Sequence, residues 1–233
     1  MLQKHLQEIH QKRQQAQNDF YTPGGLHVFF KNGIDHEKVD VEKVVARLES
    51  KIPSHLLSEI EMIIVGWFDE FEERGINAFY DSGTIYISHV QNDNEDMVED
   101  LIHELAHSLE EAHGYHIYAD DKIKKEFLQK RKYLHDLLWA KGYKIPLATF
   151  MDLEYNQEFD EFLYQTVGYD KLSAIVSGLF LTAYAPTSLR EYFATGFSTY
   201  YMDPNHDYFK KLSPQLYEKI NSLQNKEILD TYL

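Results

Sequence analysis

Apolar residues recur along the chain with two different periods, and their alternation predicts an α+β protein. The run from Leu26 to Phe30, closed by Asn32-Gly33, predicts a short strand. Val41, Val44, Val45 and Leu48 keep helical spacing, so a helix is expected over 38–50, with Pro53 as its stop. Residues 56–68 satisfy either period, with Met62 to Val65 as a candidate buried strand. Two β-rich runs, Ile76 to Tyr80 and Thr84 to Ser88, flank Asp81-Ser82-Gly83 and predict a hairpin. Asn92-Asp93-Asn94 then opens a helix over about 94–113, with Met97, Val98, Leu101, Ile102, Leu105 and Leu109 on its apolar side. Gly114 stands where a left-handed cap would end it.

Further along, a charged helix is expected over about 120–141, with Ile123, Phe127, Leu134 and Leu138 turned inward. Residues 152–183 read as mostly helical. Pro186 precedes another helix over about 188–201, which Asp203-Pro204-Asn205 ends, and a terminal helix follows over 213–224. Residues 1–20 carry only a thin apolar stripe of Leu2, Leu6 and Ile9, and read as an exposed helix or arm.

Composition narrows the function classes. The 233 residues fit one large domain or two small lobes sharing a core, and a hydrophobic share of 43% is enough for a packed interior. The formal net charge of −15 argues against binding nucleic acid or an anionic membrane, both of which need a basic surface. With no cysteine, disulfides, thiolate metal sites and a cysteine nucleophile are excluded. The polar, Gln-rich N-terminus lacks the apolar core of a signal peptide, and Ile175 to Tyr184 is too short to span a bilayer. The expectation is a cytoplasmic chain with no membrane span, with secretion or toxin-like delivery as the alternative. Oligomeric state is not legible.

One motif carries chemistry: His103-Glu104-Leu105-Ala106-His107. Four residues of helix advance one turn plus about 40° and about 6 Å, so both imidazoles leave the same face and can meet one ion. Zinc suits imidazole nitrogen and, in catalytic sites, activates a water. Glu104 lies one step round the helix, where a general base belongs. A third protein ligand is needed. His113 has the spacing of the metzincin pattern HExxHxxGxxH, but Glu110 occupies the glycine position that would let the chain turn back. Glu191, in the first turn of the predicted 188–201 helix, is the favoured candidate, although Ser188-Leu189-Arg190-Glu191 also reads as a capping box.

These motifs resemble the catalytic domain of anthrax lethal factor and its relatives, which include the secreted clostridial Pro-Pro endopeptidases. The likeness lies in His103 to His107 followed by Glu110-Glu111 and Gly114, in Glu191-Tyr192-Phe193-Ala194 with Phe197, and in Tyr184 seven residues before Glu191. It covers roughly residues 76–225. Thr195 departs from it, standing where many relatives have a second glutamate. The stretch between the two motifs is also long, so about 145–181 is expected to be a helical insertion in the catalytic core of 76–233. The resemblance implies a zincin-like fold, with a small N-terminal sheet and helices and a helical C-terminal lobe. It implies one zinc ion on His103, His107 and Glu191, Glu104 as general base, Tyr184 as oxyanion donor, and a peptide or protein substrate. In such enzymes a strand beside the zinc helix pairs with substrate, so Thr84 to Ser88 is either that edge strand or a plain sheet strand with Ile85 and Ile87 inward. The rival functions are a metzincin-like peptidase using His113 and a catalytically silent, toxin-like or regulatory binding protein on a protease scaffold.

Overall fold

The computed structural model describes residues 19–31 and 38–230. It is an α+β structure in two compact units, one ending at Ser108 and the other beginning at Leu109. The first unit holds a five-stranded mixed sheet: β1 (Asp19–Tyr21), β2 (His27–Phe30), β3 (Met62–Gly66), β4 (Ala78–Asp81) and β5 (Thr84–Ser88). The strand order is β1-β2-β3-β5-β4, with β2, β3 and β5 parallel and the outer pairs antiparallel.

The two-residue period of the strands sets the two faces of the sheet. Val28, Ile63, Val65, Ile85 and Ile87 have no measurable exposure and form the core face. On the other face Phe79 stacks on Tyr86 at 4.6 Å, and Phe68 meets both rings edge-on. Met62 to Val65 therefore resolves as a strand. Helix α1 (Val41–Lys51) buries Val44, Val45 and Leu48, and Asp40 caps it by accepting from Lys43 N–H. Short helices α2 (Ser54–Leu57) and α3 (Asp69–Arg74) follow, and Gly75, at φ +64°, takes the left-handed turn that ends α3.

Two expectations change here. Most of the expected N-terminal helix or arm lies outside the described residues, as does Asn32-Gly33, and Asp19–Tyr21 is a strand rather than the end of a helix. It is extended because β2 supplies a hydrogen-bonding partner in antiparallel register. The strand Thr84–Ser88 is not an edge. β3 occupies one of its sides and β4 the other, so its backbone groups are already paired, and β4 is the edge. The reading with Ile85 and Ile87 inward holds.

The long helix α4 (Asn94–Tyr118) begins where Asp93 accepts from the N–H groups of Glu95 and Asp96. All six of its expected apolar residues are buried. It does not stop at Gly114, which lacks the positive φ of a left-handed cap. The helix instead kinks at His113 (φ −124°, ψ 18°) and resumes to Tyr118. Fully buried Ile117 and the ring of Tyr118 against Phe193 at 6.2 Å hold this last turn.

The second unit is helical: α5 (Lys122–Ala140), α6 (Leu147–Met151), α7 (Gln157–Glu161), a π-helix (Phe162–Gly168), α8 (Tyr169–Val176), α9 (Leu189–Met202), α10 (Asp207–Leu212), α11 (Pro214–Leu223) and α12 (Lys226–Asp230). Helix does not run through to 183 as expected. Gly178, at φ +78°, breaks it, and an irregular segment leads to α9. Helix α5 buries the four expected residues. Between them lies Arg131, only 1% exposed, whose guanidinium donates to four backbone carbonyls. Next to it Lys130 Nζ donates to Leu179 O, Leu212 O and Ser213 Oγ, and burial lowers its pKa to about 8. Among the described residues, no helix is long and apolar enough to cross a membrane.

Helix α9 packs closely on α11 through Gly196. A Cβ there would stand 2.9 Å from Leu216 Cγ and 3.2 Å from Ile220 Cδ1, and both side chains are fully buried. Gly196→Ala is therefore expected to lose about 1–3 kcal/mol by overpacking, read as a lower urea midpoint with an unchanged m-value. An unchanged midpoint would mean that this helix pair has slack the contacts do not suggest.

Candidate metal centre

Helix α4 carries the motif histidines. Its rotation is set by the buried stripe, and at 100° per residue His103 and His107 project from the opposite side. Their ring centroids are 5.2 Å apart and the planes are nearly perpendicular, at 79°. His107 is 9% exposed and Glu104 only 8%, while His103 is half-buried.

Helix α9 carries Glu191. Ser188 caps the helix by accepting from Glu191 N–H at 3.1 Å, which is the serine half of the expected capping box. Two further contacts fix the helix, and a third braces one of them. Arg190 Nε lies 3.4 Å from Glu110 Oε2, and the Tyr118 hydroxyl donates to the other oxygen of the same carboxylate. Burial first, and then the charge of Glu110, push the Tyr118 phenol well above its ordinary pKa, so it remains a donor. The Tyr192 hydroxyl donates to Glu126 at 2.8 Å. Glu110, which occupies the metzincin glycine position, thus helps to hold the helix that bears Glu191.

One nitrogen each of His103 and His107 and one carboxylate oxygen of Glu191 lie within 4.8 Å of one another. This is a candidate metal-binding group. Three atoms mutually within 4.8 Å share a point at most about 2.8 Å from each, and zinc ligands at about 2.1 Å in a tetrahedron are about 3.4 Å apart. Small rotamer adjustments therefore bring the set to coordination distance. Two nitrogens and one carboxylate oxygen suit zinc, and other divalent ions of similar preference would fit the same donors.

His113 lies outside this group. It sits at the kink of α4. Tyr184 lies in the irregular segment before α9 and is 39% exposed. Its carbonyl accepts from both Thr187 N–H, at 3.0 Å, and Thr187 Oγ1, at 2.8 Å.

Two features near the group were not singled out from sequence. Asp100, one helical turn before His103, accepts from Gln91 Nε2 at 3.1 Å. Burial raises its pKa to about 6, with Glu104 adding repulsion and His103 opposing it. Arg131 holds the segment leading into α9 by donating to Pro186 O and Thr187 O. Its signal was present in the sequence, because a charged residue stands on the buried stripe between Phe127 and Leu134. Compared with protein-family models, curated proteins and solved structures, the chain gives no match. The functional argument therefore rests on these side chains.

Two outcomes follow for the centre. In calorimetric titration with zinc, His103→Ala, His107→Ala and Glu191→Ala should each weaken binding by more than about 100-fold, while His113→Ala stays near wild type. Retained affinity in Glu191→Ala together with loss in His113→Ala would transfer the third position to His113. The second outcome concerns Asp100 in chelator-treated protein. Its folded pKa of about 6 lies above the usual 3.8, so the folded state holds the proton more tightly. Its stabilising effect is complete below the lower value and is lost as pH rises through the upper one. Asp100→Asn should be on the order of 1–2 kcal/mol more stable than wild type at pH 7, with the gap closing by pH 4, in parallel thermal melts. A gap independent of pH would show that Asp100 titrates normally.

Proposed function

We propose that the protein is a zinc-dependent endopeptidase with His103, His107 and Glu191 as metal ligands. The observation that carries this reading is the convergence of those three donor atoms within 4.8 Å. Two of them come from an HExxH helix, whose spacing serves a single ion. The resemblance to the lethal factor group of peptidases, and with it a zincin-like fold, belongs to the same proposal.

Bound zinc would supply a Lewis acid that lowers the pKa of water into the neutral range. The chain's own groups do the rest. Glu104 takes the proton from the attacking water and later returns it to the leaving amine. Its low exposure keeps competing solvent away from that carboxylate. Tyr184 donates its hydroxyl to the oxyanion that forms as the carbonyl becomes tetrahedral. The edge strand β4 offers backbone groups with which an extended substrate can pair. The charge of −15 favours approach by basic peptides.

The test is cleavage profiling with a quenched-peptide library and zinc-loaded protein. Glu104→Gln should lower kcat by at least about 100-fold while zinc affinity stays within a few-fold of wild type. Cleavage that survives this substitution would remove Glu104 from its role. Tight zinc binding with no cleavage of any library member would favour a silent scaffold that binds a partner.

A further inference from the structure

Tyr184 and Glu191, on which the proposed function depends, flank one short turn, and a buried cation grips that turn. Arg131 Nη1 donates to Pro186 O at 2.8 Å and to Thr187 O at 3.3 Å. Its Nε donates to Phe150 O at 3.0 Å and its Nη2 to Thr149 O at 2.8 Å, so the other side of the fork is anchored in α6. The rings of Phe159, Phe127 and Phe150 surround the guanidinium, the nearest centroid at 4.3 Å. Burial draws its pKa down to about 10, with Asp152 opposing, and the side chain stays charged at neutral pH.

The carbonyls it holds stand at the hinge of the candidate site. Thr187 gives its carbonyl to Arg131, and its N–H and hydroxyl both go to Tyr184 O. The next residue, Ser188, caps α9 on Glu191 N–H. A displacement of Thr187 therefore moves Tyr184 on one side and Glu191 on the other.

We propose that Arg131 is a positioning residue for the metal ligand Glu191 and for Tyr184, setting both through the carbonyls of Pro186 and Thr187. This rests on the endopeptidase reading above. A planar guanidinium serves four carbonyls in fixed directions. A lysine ammonium offers three donors from one point and cannot reproduce the fork.

The experiment compares wild type, Arg131→Lys, Thr187→Val and Glu191→Ala. Circular dichroism and thermal melts check folding, zinc and cobalt titrations with the cobalt absorption spectrum report the ligands, and library cleavage gives kcat and KM. Folded Arg131→Lys should bind zinc about 10–100-fold more weakly, with its cobalt spectrum shifted towards that of Glu191→Ala. Its kcat should fall further than its KM rises. Thr187→Val cuts only the hydroxyl tie to Tyr184, so kcat should fall about tenfold or more with zinc affinity within twofold of wild type. Arg131→Lys that melts earlier but keeps wild-type zinc affinity, cobalt spectrum and kcat would reduce Arg131 to a structural tie and overturn the proposal. If Arg131→Lys does not fold, Thr187→Val decides alone, and an unchanged kcat overturns the coupling. Failure of the endopeptidase reading looks different: wild type and Glu191→Ala then take up zinc alike or not at all, and the positioning role falls with it.

Discussion

The rotation of helix α4 about its axis is the constraint on which the site depends. Met97, Val98, Leu101, Ile102, Leu105 and Leu109 are all essentially without exposure, and burying that stripe leaves a single orientation. At 100° per residue, the middle of the opposite face falls between His103 and His107. The two imidazoles are thus aimed by hydrophobic burial elsewhere on the helix. Turning the helix by one residue would bury a histidine and expose a leucine, and each fully buried aliphatic side chain contributes about 1.5–3 kcal/mol. The directions in which the two imidazoles leave the helix are consequently set by the core.

Glu191 is held differently, by polar contacts and one close helix crossing. Ser188 caps its helix, Arg190 reaches Glu110, and Tyr192 reaches Glu126. Glu126 also accepts from the N–H groups of Gln215 and Leu216 at the start of α11. Gly196 then lets α9 and α11 pack closely. None of these contacts is a metal ligand, yet each restricts where the carboxylate can sit. Two acidic residues, Glu110 and Glu126, are the acceptors of this framework.

What could be read from the sequence follows the same division. The HExxH helix, the 78–88 hairpin and the buried stripes of α1 and α5 were legible because periodicity is a local property. Glu191 was legible as a candidate through its position in the first turn of a predicted helix and through a family pattern. The sheet order was not, because the pairing of β5 with β3 is decided by parallel contacts across an intervening strand. The end of α4 was misread for a related reason. Gly114 carries a local stop signal, and buried Ile117 and Tyr118 override it through packing that spacing alone does not encode. The irregular segment holding Tyr184 has no period, so only its distance from Glu191 drew notice to that tyrosine.

The charges around the candidate group bear on what it can hold. Asp100 is raised mainly by burial and then by the neighbouring Glu104. Asp160 is raised by burial first, and then by Glu191 and Glu161. Asp100 thus feels the charge of Glu104, and Asp160 feels that of Glu191 and Glu161. Without a cation, Glu191 adds a negative charge where Asp160 and Glu161 already stand. A divalent ion reverses the sign of that interaction: it attracts every carboxylate that otherwise repels its neighbours, and the imidazoles bind it in their neutral form. An acidic, partly screened group containing two imidazoles is therefore electrostatically suited to a small divalent cation and poorly suited to an anionic ligand. The charges around the group thus argue for a cation there separately from its three donor atoms.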